Sequence, residues 1–350
     1  MMSPTAHLPF LTAEVGGIGG VIRHQPEDFR VDECPLYLPC GHGEHVYMRI
    51  TKRGLSTPHM VSHVASVLGV KAKCIGVAGL KDAQAVTTQL VSAQGVDPDR
   101  MARLQADGRI LSVEVLGRHR NRLRIGHHAG NRFQLTVRDV TPASGTSISA
   151  ILEELSKRGV PNYFGPQRQG RDGLNHEKGA ALLRDARRRA RMPRQQRMWF
   201  LHAYQSFLFN QILAARISRI DRVLPGDWAM KHSNGACFPV EIAEVEQIRA
   251  DRFEISPTGP LFGSRSPWAS GEPGNLERKI VMAAGETPEE LSQAAAACGF
   301  RGERRPLRVK MEDLDWSLHG TQLTLSFGLP PGAYATSVLR ELMKSETSER

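Results

Sequence analysis

The chain has little cysteine, and what it has is scattered: Cys34, Cys40, Cys74, Cys237 and Cys298, an odd number with no CxxC pair. That spacing excludes a disulfide framework and a zinc ribbon and predicts free thiols in a reducing compartment. The segment "CGHGEH" offers Cys40, His42 and His45 but no fourth ligand nearby, and its glycines signal a turn, so no metal is expected. No run approaches the roughly 20 apolar residues of a membrane helix. The opening "MMSPTAHLPFLTAEV" lacks the basic start and apolar core of a signal peptide, so a cytoplasmic protein without membrane association is expected. No GxGxxG follows a predicted strand, which speaks against a dinucleotide fold or a nucleotide-type cofactor. Aromatics are sparse at 6%, yet 40% apolar and 23% charged residues are ordinary for a folded chain.

What is in excess is base. Lys plus Arg number 46 against 36 Asp plus Glu, a net charge of +10 with a pI near 9.7. The first partner to consider is therefore a polyanion, nucleic acid ahead of an anionic membrane. At 350 residues the chain exceeds the usual single domain, so two domains, or one with a large insertion, are expected.

Strand patterns dominate the N-terminal half: residues 19–33, 45–54, 73–82, 85–93, 120–128 and 132–140. Between them "STPHMVSHVASVLG" reads as a helix, with Thr57 as cap, Pro58 in the first turn and Gly69 as stop; "TSISAILEELSKRG" follows the same grammar. From about residue 160 the texture turns helical, notably over 201–217, and then to Gly/Pro/Ser-rich loops around 255–275. A final strand, 320–332, precedes a helix over 333–345 and most simply rejoins the N-terminal sheet. The pattern predicts an α+β fold with a largely antiparallel sheet rather than a strict βαβ repeat.

Three groups of residues could carry chemistry. In "VAGLKDAQAVTTQ" Asp82 sits beside Lys81 where chain leaves a core strand, either as a turn or cap residue or as a carboxylate kept charged for use. In "GRHRNRLRIG" Arg118, Arg120, Arg122 and Arg124 alternate, so a strand there would project all four from one face, solvated or tracking phosphates. In "RDARRRARMPRQQR" seven arginines, among them Arg187, Arg188 and Arg191, face only Asp185 in opposition. Phosphate contacts of this kind position a nucleic acid without reading its bases.

The stretch "GLKDAQAVTTQ" resembles the GxKDxxAxTxQ motif of the TruD-type tRNA pseudouridine synthases. In the same order "PEDFRVDE", "KRGLST", "GNRF", "GVPNYFGPQRQG", "HAYQSFLFN" and "LPPGAYATSVLREL" resemble further elements of that family, across nearly the whole chain. Two departures stand out: Gln169 and Tyr334 occupy places where the family commonly has phenylalanine. The resemblance implies a pseudouridine-synthase-like mixed sheet with flanking helices, interrupted by a TruD-type α+β insertion. The expected bounds are 1–156 and 307–350 for the catalytic domain and 157–306 for the insertion.

It further implies isomerisation of uridine 13 in tRNA, with Asp82 as the catalytic aspartate and Lys81, Phe29, Asn131 and Phe133 in its pocket. No metal or organic cofactor and no obligate protein partner is expected, and a monomer is anticipated. Asp82 would act as nucleophile or promote elimination to a glycal, and its partner cation would be Lys81 or an arginine. Phe133 would stack on a flipped uridine or fill a strand core; Phe29 would pack in the core or touch the base; Asn131 would hydrogen-bond around the aspartate or hold a turn. The rivals are an RNA-binding protein without catalysis and a cofactor-dependent nucleic-acid enzyme such as a methyltransferase.

Overall fold

Alternating apolar residues in the N-terminal segment build strands β1 (Gly19–Val21), β2 (Phe29–Pro35) and β3 (His45–Arg53), followed by helix α1 (Thr57–Leu68). Strands β4 (Ile75–Val77), β5 (Val86–Gln94), β6 (Ile110–His119) and β7 (His128–Val140) complete this stretch. The computed structural model describes residues 8–96, 100, 103–104, 108–141 and 144–344; the Arg188 side chain lies outside what is described.

The middle of the chain forms α2 (Gly145–Arg158), β8 (Val160–Pro161), α3 (Asn175–Arg184), α4 (Ala186–Arg191) and the long α5 (Arg194–Arg216). Next come β9 (Trp228–Lys231), β10 (Cys237–Pro239), α6 (Ala243–Asp251), β11 (Ile255–Leu261), α7 (Gly271–Ala283), α8 (Pro288–Ala297), β12 (Glu303–Pro306) and β13 (Arg308–Val309). The chain then returns to strands, β14 (Glu312–His319) and β15 (Gln322–Leu329), and closes with α9 (Ala335–Met343).

Contacts divide the chain into two units. One comprises 18–146 and 311–333; the other comprises 147–310 with the segments up to residue 17 and from residue 334. The expected divisions fell at 156/157 and 306/307, with both termini in the catalytic part. The terminal segments instead join the middle one, where the Leu11 and Thr12 amides donate to the Glu341 carboxylate at 3.0 and 3.1 Å.

In the first unit the main sheet runs β14-β15-β7-β2-β5-β3-β6, with β1 added to β7 and β4 to β5. Its pairing is antiparallel except between β2 and β5. Val46, Met48 and Ile50 of β3 and Val91 and Ala93 of β5 pack on Met60, Val64 and Leu68 of α1, all nearly inaccessible to water. Each of these Val, Ile, Leu and Met side chains stabilises by about 1.5–3 kcal/mol. The cap of α1 is Ser56, whose hydroxyl accepts from the His59 amide, rather than Thr57. That shift by one residue turns Thr57 inward.

The second unit holds a four-stranded sheet, β10-β9-β11-β12, under the helices. Leu201, Tyr204 and Leu208 of α5 join Leu182, Phe262 and Leu291 in its core. Here the sequence misled. "ISPTGPL" is strand β11 rather than loop, because residues 255–257 pair only with β9 and 258–261 only with β12. Each proline therefore needs to satisfy one neighbour, and Pro257 still accepts the Leu307 amide at 2.9 Å through its carbonyl.

Candidate active site

Residues 78–85 form the loop joining β4 to β5, and adjacent residues in it point opposite ways. Lys81 turns inward, with its side chain 5% exposed, whereas the Asp82 carboxylate is 51% exposed. Three buried side chains hold the loop from below. Thr57 Oγ1 accepts the Lys81 amide at 2.8 Å and lies 3.0 Å from Gln89 Oε1, to which it can donate its proton. Gln89 Nε2 donates to the Gly79 carbonyl at 3.4 Å. Lys52, wholly buried, donates to the Leu55 carbonyl and, at 3.3 Å, to the backbone carbonyl of Asp82 itself. Burial pushes the Lys52 ammonium down to about 8, against the pull of the Asp82 charge, with the nearby Lys81 pushing the same way as burial.

The partner of Asp82 is Arg23. Its Nη2 donates to Asp82 Oδ2 at 3.1 Å, and its guanidinium lies 4.5 Å from the centre of the Phe29 ring. Arg23 holds a left-handed backbone, φ 58°, a conformation costing about 1–2 kcal/mol outside glycine. Strained residues of this kind gather at functional sites. The sequence reading did not single out Arg23, which stands 59 residues from Asp82 with no spacing that links them.

Lys81 is thus not the counter-ion of Asp82. Its ammonium reaches Glu33 Oε2 at 2.8 Å and Asn131 Oδ1 at 2.8 Å. The other Glu33 oxygen accepts the Leu90 amide at 3.1 Å. Strand register explains the meeting: Glu33 of β2 lies opposite Asn131 of β7, so both side chains share a face. Asn131 therefore belongs to a strand, not a turn. On the same face Val31 lies opposite Phe133, and Phe133 opposite Phe327 of β15. Phe29 and Phe133 meet edge to face at 6.3 Å, and Phe133 and Phe327 lie 5.6 Å apart; all three rings are buried. Gly79 passes so close that a Cβ there would sit 2.8 Å from Lys81 Nζ and 2.9 Å from Glu33 Oε2.

The arginines of 118–124 do not form one strand face. β6 ends at His119, and residues 120–127 are a loop that bends back along β4. Sequence alternation failed there because "NRLRIG" is tied by side-chain and turn bonds: Arg122 Nη2 donates to the Ile75 carbonyl at 2.5 Å, and the Leu123 amide to Ser92 Oγ at 3.0 Å. Arg120 Nε donates to His42 Nε2 at 2.6 Å, Arg118 Nη1 lies 3.5 Å from the Gly43 carbonyl, and Arg124 is exposed. In the second unit Arg187 and Arg191 are exposed on α4, whereas Arg184 pairs with Glu286 at 2.6 Å and Arg189 donates to the carbonyls of Leu182 and Leu183. Among the described residues no group of three or more His, Cys, Asp or Glu is arranged to hold a metal. No helix of those residues is long and apolar enough to cross a membrane.

The model of the family tRNA pseudouridine synthase D (TruD) matches residues 7–192 and 186–342. The tRNA pseudouridine synthase D of Geobacter sulfurreducens is 41% identical, the alignment covering 96% of each chain. That of Thermus thermophilus is 43% identical over 97% of this chain and 92% of its own. A crystal structure from Methanosarcina mazei assigned to TruD superposes with a TM-score of 0.79 at 25% identity, covering 96% of both chains. The fold is thus the α+β architecture of that structure, and the chain belongs to the TruD family of tRNA pseudouridine synthases.

Proposed function

We propose that this chain isomerises uridine to pseudouridine in tRNA, at position 13, with Asp82 as the catalytic carboxylate. One observation carries the reading: a half-exposed carboxylate, ion-paired to a strained arginine, on a loop pinned from beneath by Lys52, Thr57 and Gln89. The reaction breaks the bond from C1′ to N1 of the uracil and remakes it from C1′ to C5, with no net redox change. A carboxylate serves it either as a nucleophile or by promoting elimination to a glycal. Arg23 gives the carboxylate a cation while leaving one oxygen free of any hydrogen bond among the described residues.

The target base must leave its stack, which costs a few kcal/mol; the Phe29 ring, packed under the Arg23 guanidinium that pairs with Asp82, would meet it by its edge, with the buried Phe133 behind. The unit of 18–146 and 311–333 would be the catalytic body, and the rest the family's insertion together with both terminal segments. Arg118, Arg120, Arg122, Arg124, Arg187, Arg188 and Arg191 would contribute to tRNA affinity. The protein would act in the cytoplasm as a monomer without a cofactor.

The test incubates purified protein with unmodified tRNA, nothing else added, and maps pseudouridine. Asp82→Asn should lower the rate by about a thousandfold or more while tRNA affinity stays near that of the parent. Modification persisting in Asp82→Asn would remove Asp82 from the reaction. Tight binding without modification by the parent protein would favour the binding-only rival.

A further inference from the structure

We propose that Leu80 is a wedge: when the target uridine leaves the tRNA stack for Asp82, the Leu80 side chain enters the space the base vacates and keeps it from returning. The inference rests on the reading of the Asp82 loop as the uridine site. Two neighbouring positions of that loop are inverted relative to what water would select. Lys81 is buried, its side chain 5% exposed, whereas Leu80 is 72% exposed, the most of any large apolar residue among the described residues. Partition between water and a protein interior favours the opposite arrangement, lysine out and leucine in.

A scattered exposed leucine is ordinary, but this inversion is built. The Lys81 ammonium is held by Glu33 and Asn131, and its amide by Thr57 Oγ1. Gly79, on the other side of Leu80, is pressed onto the same floor, where a Cβ would meet Lys81 Nζ at 2.8 Å and Glu33 Oε2 at 2.9 Å. The loop is thus fixed on both sides of Leu80 by groups that leave its side chain in solvent. Breaches of local preference of this kind gather at functional sites.

Leu80 stands two residues before Asp82, and with Lys81 turned inward between them both face solvent. Their Cα atoms are therefore no more than about 7 Å apart. A second apolar residue stands close by: the Gly126 amide donates to the Ala78 carbonyl at 2.8 Å, which brings Ile125, 66% exposed, to the root of the same loop, with the exposed Arg124 beside it. Apolar surface flanked by a cation suits stacked bases flanked by phosphates. The gap left by a flipped base is one step of the stack, about 3.4 Å thick, and is walled by two base faces. Aliphatic side chains inserted between base steps hold such gaps open, whereas Asp82 or Lys81 would have to shed water to enter one.

The experiment measures kcat/KM for pseudouridine formation on two tRNA substrates, one intact and one with an abasic residue next to the target uridine, where little stack has to be opened. Leu80→Ala should lower kcat/KM on the intact tRNA by about ten- to a hundredfold, the worth of burying one leucine side chain, and the deficit should largely vanish on the abasic substrate. Leu80→Met keeps the apolar volume and should stay within about threefold of the parent on both. Melting temperatures of both variants should match the parent, because Leu80 contributes little to the core. An equal loss on both substrates would make Leu80 a support of the Asp82 loop and overturn the wedge, as would a Leu80→Ala enzyme working at the parent rate. Absence of any pseudouridine with the parent protein on either tRNA would instead overturn the assignment of the reaction.

Discussion

Arg23 and Lys52 bracket Asp82, one at its carboxylate and one at its backbone, and they should fail differently when replaced. Arg23→Met removes a charge-assisted hydrogen bond of about 1.5–3 kcal/mol, so kcat should fall by roughly 10- to 100-fold with little change in thermal stability, as single-turnover rates and melting curves would check. Lys52 is a matter of pH. Between about pH 8 and the ordinary lysine value of 10.5 the unfolded chain holds a proton that the folded chain has lost. Stability contributed by this group therefore rises with pH across that window, by on the order of 3 kcal/mol in full. Lys52→Met should remove that rise, measured as melting temperature against pH, although it leaves the carbonyls of Leu55 and Asp82 short of a donor. Little of this was legible in the sequence. The motif located Asp82 and Lys81, but their opposite orientations, and the handover of the counter-ion role to Arg23, depend on how the β4–β5 loop turns.

Elements were read better than residues, and the misreadings share a cause. Strand β7 and helices α1, α2 and α9 declare themselves because one face of each is buried, which imposes a period on the sequence, whereas β3 and β5, buried on both faces, show as short β-branched and apolar runs. The loop 120–127 mimicked that period with arginines that go separate ways, Arg122 to the Ile75 carbonyl, Arg120 to His42 and Arg124 to solvent. It is stitched to β4 tightly enough for a test: a Cβ on Gly76 would lie 2.4 Å from the Leu123 carbonyl oxygen and 2.5 Å from Ser92 Oγ. Gly76→Ala should therefore destabilise by about 1–3 kcal/mol in urea titrations. It should also lower kcat, since the Gly126 amide bonds the Ala78 carbonyl at the root of the Asp82 loop. β11 was hidden for the converse reason, its prolines being tolerated where pairing changes sides.

At the scale of the whole molecule the net charge of +10 predicts an affinity for tRNA that falls steeply with salt. Arg187→Glu and Arg191→Glu should each weaken binding and each lower the slope of log affinity against log salt by about 1, by filter binding at several ionic strengths. Arg184→Gln is the contrast, because its guanidinium is spent on Glu286 and the Ala284 carbonyl; it should lower stability and leave the slope alone. Composition announced this electrostatic behaviour, but only packing distinguishes the exposed arginines from the occupied ones. Sheet order carries one further consequence, for synthesis. β7 precedes its neighbour β15 by the entire middle of the chain, yet β15 lies between β14 and β7 and supplies Phe327 against Phe133. At ~5–20 residues per second a ribosome leaves that edge of β7 without its partner for roughly ten to forty seconds. Throughout this interval the nascent protein has Asp82 and the strands that hold its loop but not Phe327 against Phe133, so activity should be acquired late and abruptly, and the waiting edge is where a chaperone would be needed.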